Sequence, residues 1–183
     1  DWEQTIFVKI TNTTTGTSGT LNLTSDYLVP KSIIVKYNTD NALNFDGIDD
    51  VVSIPDNDSL DLTSNYTIEA WIKPTSFSVF AGIVSKYHSA ESKGYSLKLN
   101  GTDDYSGISF DGMSTSNEVL SLNNWYHVAG VNQNGTRKIY INGIEKAITG
   151  TPLVTAINTD SVKIGQDFSS SGERFFKGSI DEV

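Results

Sequence analysis

Short apolar runs recur along most of the chain, and their spacing limits the folds open to it. From residue 42 onward they follow one another about every 8 to 14 residues, separated by clusters of Gly, Asn, Asp or Ser. Strands of this length and spacing are typical of an all-β sandwich. The runs are Ala42–Asp46, Val51–Ile54, Thr67–Lys73, Gly82–Tyr87, Tyr95–Leu99, Gly107–Phe110, Trp125–Val131, Arg137–Ile141, Ile144–Ile148, Val162–Ile164 and Phe175–Ile180.

Composition and turn chemistry agree with strands. Of the 183 residues, 22 are Ser, 19 are Thr and 15 are Asn, a mixture that favours pleated surfaces and turns and excludes helical bundles. Between the Arg137–Ile141 run and Ile144 stand Asn142 and Gly143. Both residues tolerate positive φ, so this dipeptide predicts a β-hairpin.

The first 40 residues have a different organisation. A strand is predicted at Thr5–Ile10, where Ile6, Val8 and Ile10 form an apolar stripe, and further strands near 20–24 and 32–37. Residues 11–19 hold no large side chain and two glycines, which predicts a flexible or extended linker. We therefore expect an N-terminal β extension over 1–40 and a sandwich over 41–183.

Charge and cysteine content exclude several classes of partner and site. Thirteen Lys and Arg against 22 Asp and Glu give a net charge of -9 and a pI near 4.5, which disfavours nucleic acids and anionic membranes. The chain contains no Cys, so thiolate chemistry, disulfides and Cys-type zinc sites are excluded. No run approaches the roughly 20 apolar residues of a membrane span, so no membrane insertion is expected.

Six Asn-x-Ser/Thr sequons indicate a secreted or cell-surface protein, and the chain begins at Asp1 without a signal-like segment, as a mature or trimmed form would. The glycosylation candidates are Asn12, Asn22, Asn57, Asn65, Asn100 and Asn134.

Several segments together resemble the laminin G-like modules of the concanavalin A-like lectin and glucanase superfamily. They are ALNFDGIDDVVSIP at 42–55, YTIEAWIK at 66–73, NWYHVAGV at 124–131, KIYINGI at 138–144 and FKGSIDEV at 176–183. The resemblance covers about 41–183 and implies an all-β, two-sheet antiparallel jelly-roll sandwich. Its first and last strands are expected to be neighbours.

The resemblance also implies a structural cation between the terminal strands, which would map onto Asp46, Asp50 and Asp181. Asp46, Asp49 and Asp50 cluster around Gly47, and carboxylate oxygens are the ligands that Ca²⁺ prefers. The alternative is that these side chains cap a turn. The acidic segment 56–61 lacks the Gly and distal Glu of a helical calcium loop, so a plain turn is expected there.

No catalytic arrangement is evident. Members of the superfamily that cleave glycans carry closely spaced acids on one strand, whereas Glu69 stands alone among apolar neighbours. His127 is expected to make framework hydrogen bonds, and His88 is predicted to lie in a loop. We therefore expect no enzyme activity.

Two sets of aromatic residues have different expected roles. Trp71 and Trp125 lie within strands and are interpreted as core or sheet-face residues rather than a sugar platform. Tyr87, Tyr105 and Phe168 lie near turn-rich segments and are the candidates for ligand contact.

The closing strand is expected to be short, because the family continues past the final Asp-Glu-Val and this chain ends at Val183. A shortened strand would leave an open sheet edge. The strand carrying Ile6, Val8 and Ile10 could fill that edge in another copy, as in donor-strand complementation, and head-to-tail repetition would build a filament.

The sequence thus predicts a non-catalytic extracellular adhesion module, with structural calcium, that recognises a glycan or a surface protein. The alternative is a structural subunit of an extracellular filament or pilus. Size-exclusion chromatography and negative-stain images separate the two, because only the second polymerises and should lose its polymers when residues 1–10 are deleted.

Overall fold

The structure, a computed structural model, describes residues 42–88, 93–102, 105–116, 120–169 and 172–183. These ranges contain fifteen strands and one 3-10 turn, η1 (Asp58–Leu60). The predicted elements within 1–40, including Ile6, Val8 and Ile10, lie outside the described residues. The strands are β1 (Leu43–Asp46), β2 (Val52–Ile54), β3 (Tyr66–Pro74), β4 (Gly82–His88), β5 (Lys93–Thr102), β6 (Tyr105–Phe110), β7 (Met113–Thr115), β8 (Tyr126–Gln133), β9 (Thr136–Ile141), β10 (Ile144–Glu145), β11 (Ile148–Gly150), β12 (Val162–Ile164), β13 (Gln166–Ser169), β14 (Gly172–Phe175) and β15 (Lys177–Asp181).

The strands form two large antiparallel sheets and a small hairpin. The six-stranded sheet has the order β1-β15-β3-β8-β9-β10, and the seven-stranded sheet has the order β11-β7-β6-β5-β4-β12-β2. Strands β13 and β14 pair with each other. This is the predicted all-β jelly-roll sandwich.

The core lies between the two large sheets and follows from alternation along the strands. In β3, Ile68, Ala70 and Ile72 are buried, whereas Glu69 and Trp71 are exposed. Each large apolar side chain that is fully buried contributes roughly 1.5–3 kcal/mol. The fully buried set includes Ile72, Ile83, Leu97, Leu99, Ile108, Phe110, Val128, Ile139 and Phe176.

A close approach between the sheets requires glycine at position 130. A Cβ atom on Gly130 of β8 would overlap the ring of Phe110 from β6. The missing side chain therefore lets the phenyl ring pack against the backbone of the opposite sheet.

The predicted hairpin is confirmed. Strands β9 and β10 pair on either side of Asn142 and Gly143, whose φ angles are 51° and 75°. The predicted single strand over Ile144–Ile148 is wrong, because the segment is divided between β10 in one sheet and β11 in the other.

The closing strand is short, as predicted, and its pairing with β3 ends at Trp71, although β3 begins at Tyr66. Strand β15 lies between β1 and β3, with Ile180 opposite both Leu43 and Ile72. Its neighbour relation to the first strand is confirmed, but both of its sides are paired. An acceptor edge for a donor strand would therefore lie beyond the end of β15, beside residues 66–70 of β3, and donor-strand assembly stays a prediction.

Candidate functional site

The outer surface of the six-stranded sheet carries a row of polar and aromatic side chains. Strand pairing places Trp71 of β3 between Asp181 of β15 and His127 of β8. Because Ile72 and Val128 are fully buried, alternation turns Trp71 and His127 away from the core.

Trp71, His127 and Glu69 form a contact cluster on this surface. The Trp71 and His127 rings lie 5.5 Å apart, centroid to centroid, at an interplanar angle of 57°. The Nε2 atom of His127 is 3.4 Å from Oε2 of Glu69. The Trp71 side chain remains 38% exposed.

A second exposed tryptophan, Trp125, immediately precedes β8. It lies two residues before His127 and outside the paired part of the strand. Trp125 is 40% exposed, and the backbone N–H of Asn123 donates to the carbonyl of Pro74, fixing this loop to the end of β3.

We call the surface formed by Glu69, Trp71, Trp125, His127 and Asp181 the Trp71 face. Two half-exposed indoles provide flat apolar area, and their N–H groups need a polar partner. The carboxylates accept hydrogen bonds, and the imidazole donates or accepts them. Such a combination can hold a ligand that has both apolar patches and hydroxyl groups.

The sheet-face position predicted for Trp71 is confirmed, whereas Trp125 precedes β8 instead of lying within a strand. Neither side chain belongs to the core. The signal was present in the sequence. With Ile68, Ala70 and Ile72 as the inward positions of one strand, Trp71 had to point outward.

The predicted ligand-contact residues lie elsewhere. Tyr87 is half-buried in β4, with its ring centroid 5.3 Å from Nζ of Lys98. Phe168 of β13 is 53% exposed. Tyr105 begins β6, but its side chain lies outside the described residues. A ligand role for these three stays a prediction.

The predicted grouping of Asp181 with Asp46 and Asp50 is wrong. Asp46 lies opposite Lys177, four residues along β15 from Asp181, which corresponds to roughly 13 Å of extended strand. Asp181 instead lies opposite Trp71. Strands β1 and β15 are neighbours, as predicted, but their register separates Asp181 from Asp46 and Asp50.

Asp46, Asp49 and Asp50 do converge, with carboxylate oxygens within 4.8 Å of one another, and all three side chains are exposed. Asp46 Oδ1 accepts from the N–H of Ile48 at 2.7 Å, and Asp50 Oδ2 accepts from the N–H of Asp46 at 2.8 Å. These are the turn-capping bonds of the alternative explanation. The cation set implied by the resemblance does not fit, and calcium stabilisation stays a prediction.

The described sequon asparagines have structural roles. Asn57 caps η1 by accepting from the N–H of Ser59 at 3.0 Å. Asn65 and Asn134 bond to each other, through Nδ2 of Asn65 to Oδ1 of Asn134 and the N–H of Asn134 to Oδ1 of Asn65, each at 3.1 Å. Asn100 lies in β5, whereas Asn12 and Asn22 are outside the described residues. Glycosylation at any of the six stays a prediction.

The backbone of His127 belongs to the framework, whereas the framework role predicted for its side chain stays a prediction. Its N–H donates to Oδ1 of Asn142 at 2.9 Å, and its carbonyl accepts from the N–H of Asn142 at 2.8 Å. These bonds fix the β9–β10 turn to β8. His88 ends β4 rather than lying in a loop, and its side chain is outside the described residues.

Comparisons with known proteins agree with this fold. A family model, Laminin_G_3, described as the concanavalin A-like lectin/glucanases superfamily, matches residues 45–183. No curated protein matches the sequence significantly.

Several solved structures are similar, and the following two are among them. Domain 4 of AbnA, an extracellular arabinanase from Geobacillus stearothermophilus solved with arabinotriose, has a TM-score of 0.48 and 24% identity over 72% of this chain and 63% of that chain. The match thus spans less than two thirds of the arabinanase-domain chain. The galectin LEC-6 of Caenorhabditis elegans has a TM-score of 0.37 and 16% identity over 80% of this chain and 100% of that chain. Since the family model covers most of the sequence, the chain belongs to the Laminin_G_3 family of the concanavalin A-like lectin/glucanases superfamily.

Proposed function

We propose that the chain is a non-catalytic extracellular module that binds a glycan on the Trp71 face. The observation that carries the proposal is the half-exposed Trp71 in contact with the paired His127 and Glu69 on an open sheet surface. An indole can cover the apolar side of a sugar ring while neighbouring carboxylate and imidazole groups bond its hydroxyls. Membership of a superfamily described by its lectins supports the same class of ligand.

The charge of the site favours neutral glycans. Glu69 and Asp181 flank Trp71, and the chain as a whole carries a net charge of -9. Like charges placed together at an interface lower affinity and slow association. Sialylated, sulfated and uronate-rich glycans are therefore disfavoured.

A glycan array with three matched variants tests the location of the site. Trp71→Ala should weaken binding at least tenfold, about 1.4 kcal/mol, because it removes the central aromatic surface. Trp71→Phe should retain part of the binding. Phe168→Ala, which removes another half-exposed aromatic side chain, should leave binding unchanged. If Phe168→Ala abolished binding and Trp71→Ala did not, the site would lie at Phe168 on β13 instead.

Glycan cleavage is the competing activity. Two carboxylates about 5–10 Å apart flank the scissile bond in most glycosidases. Glu69 and Asp181 are both on the Trp71 face, so cleavage has to be tested directly. We expect no reducing ends to appear when polysaccharides are incubated with the protein. Their appearance, and their loss in Glu69→Gln, would identify an enzyme.

Self-assembly remains the alternative function. Strand β15 itself is paired on both sides, so a donor strand would have to add beside residues 66–70 of β3, past the end of β15. Light scattering at millimolar protein concentration should give a monomer, and a polymer that disappears on deletion of residues 1–10 would restore the filament hypothesis.

A further inference from the structure

The ammonium group of Lys86 lies in a cage of oxygen atoms at the end of β4. Its Nζ atom is 2.7 Å from Oδ1 of Asp61, 2.9 Å from Oδ1 of Asp56, 2.6 Å from the carbonyl of Asn158 and 3.4 Å from Oδ1 of Asn158. The Lys86 side chain is only 1% exposed. Two carboxylates, a backbone carbonyl and an amide oxygen thus converge on one buried positive charge.

Other hydrogen bonds hold the Asn158 part of the cage in place. Its Nδ2 group donates to the backbone carbonyls of Lys86 at 3.0 Å and Lys93 at 3.3 Å. Its Oδ1 atom also accepts from the N–H of Asp160 at 3.0 Å. The amide is therefore oriented by the backbone of β4, β5 and the segment before β12, independently of the lysine ammonium.

The η1 turn holds the carboxylate part. Asp56 and Asp61 lie on either side of the turn, and Asn57 closes it by accepting from the N–H of Leu60 at 2.8 Å with its carbonyl. Burial alone would lower the pKa of Lys86, but its hydrogen bonds to the two carboxylates and their charges outweigh burial and raise the pKa. Lys86 therefore stays charged, and the cage with its occupant still carries one net negative charge.

Carboxylate, carbonyl and amide oxygens are also the ligands of protein-bound Ca²⁺, at 2.3–2.6 Å. The three shortest contacts of the Lys86 Nζ atom measure 2.6–2.9 Å. An inward movement of a few tenths of an ångström would bring these oxygens to coordination distance from a Ca²⁺ ion. Asp56 is 34% exposed, so water can reach the cage and complete the coordination.

We propose that this is a cation site occupied by an ammonium that belongs to the chain, and that removing the ammonium converts it into a Ca²⁺ site. In the wild-type chain the Lys86 ammonium holds these oxygens together, as a structural metal ion would. It joins η1, β4 and the segment around Asn158 without drawing an ion from solution. This site is distinct from the exposed Asp46, Asp49 and Asp50 cluster.

Thermal unfolding of two lysine variants tests the proposal. Lys86→Ala removes the ammonium and leaves space for an ion, so its Tm should fall by roughly 6–20 °C without metal because two carboxylates are left uncompensated. Calcium at 100 times its Kd should then raise that Tm by about 5–10 °C. Lys86→Met also lacks the charge, but its side chain fills the space, so calcium should not rescue it.

The Tm shift that calcium causes in the wild-type chain is the baseline, because it includes the effect of any ion bound at another site. A calcium response in Lys86→Ala no larger than that baseline would overturn the proposal, as would an equal response in Lys86→Met. If Lys86→Ala does not fold without metal, refolding from urea with and without calcium gives the same decision. Recovery of native circular dichroism only with calcium supports the cage, and failure in both conditions contradicts it.

Discussion

Three polar side chains connect the two large sheets at one end of the sandwich: the half-buried Tyr66 of β3, and the buried Asp111 of the turn after β6 and Arg137 of β9. The Tyr66 hydroxyl donates to Oδ2 of Asp111, and Nε of Arg137 is 3.3 Å from the same oxygen. Oδ1 of Asp111 accepts from the N–H of Ser96 at 2.9 Å. Asp111 is fully buried, so this contact is shielded from water.

Replacing Asp111 with Ala should destabilise the fold by about 3–5 kcal/mol, because Arg137 would keep a buried charge without its partner. Asp111→Asn keeps an acceptor for Tyr66 and should cost less. Urea unfolding of both variants measures the free energies. A loss below about 1 kcal/mol for Asp111→Ala would show that the carboxylate does not stabilise the sandwich.

Two buried tyrosines make stability sensitive to alkaline pH. Burial raises the pKa of Tyr95 from 10.0 to about 12, and burial together with the Asp111 charge raises the pKa of Tyr66 further. Because these pKa values are higher in the folded chain, their contribution to stability is complete below pH 10.0 and is lost as pH rises through about 12. The phenolate absorbance of Tyr66 and Tyr95 should therefore rise late and together with unfolding. In Tyr95→Phe a smaller part of the phenolate absorbance should appear late. Ionisation of all tyrosines near pH 10 in the folded protein would contradict this prediction.

The β13–β14 hairpin is an element held to the seven-stranded sheet by a buried ion pair. Asp167 of β13 accepts from Oγ of Ser85 at 2.8 Å and from Nζ of Lys98 at 3.1 Å. Both charged side chains are at least nine-tenths buried. Lys98 also lies 5.3 Å from the ring centroids of Phe80 and Tyr87.

Asp167→Ala should release the hairpin, since it leaves Lys98 as an unpaired buried charge. We expect a loss of about 3–5 kcal/mol and faster amide hydrogen exchange over Gln166–Phe175 than elsewhere in the sandwich. Glu173→Ala, at an exposed position of β14, is the matched control and should leave exchange unchanged. Equal protection of the hairpin in Asp167→Ala and the wild type would show that other contacts hold it.

Sequence alone predicted the elements whose signal is local. Alternation located β3, and the Asn142–Gly143 dipeptide located the β9–β10 turn. The β13–β14 hairpin was missed because its anchor, Asp167 with Lys98 and Ser85, joins positions about 70 to 80 residues apart and leaves no apolar pattern. The misplacement of Asp181 has a similar cause, since strand order was predictable but the register of β1 and β15 was not.

At the scale of the whole molecule, the sandwich exposes the Trp71 face on its six-stranded sheet and covers part of the other sheet with the β13–β14 hairpin. No helix among the described residues is long and apolar enough to cross a bilayer. The net charge of -9 disfavours polyanionic ligands over the entire surface. A neutral glycan bound through aromatic surface is the ligand class that these properties favour together.

The three tryptophans of the chain allow a direct measurement of this claim, because each indole N–H gives its own nuclear magnetic resonance signal. In a titration with a neutral oligosaccharide selected on the array, the signals of Trp71 and Trp125 should shift in a saturable way. The signals can be assigned by single Trp→Phe substitutions. Saturable shifts confined to β4 and β13, around Tyr87 and Phe168, with the Trp71 and Trp125 signals unmoved, would contradict the proposed site.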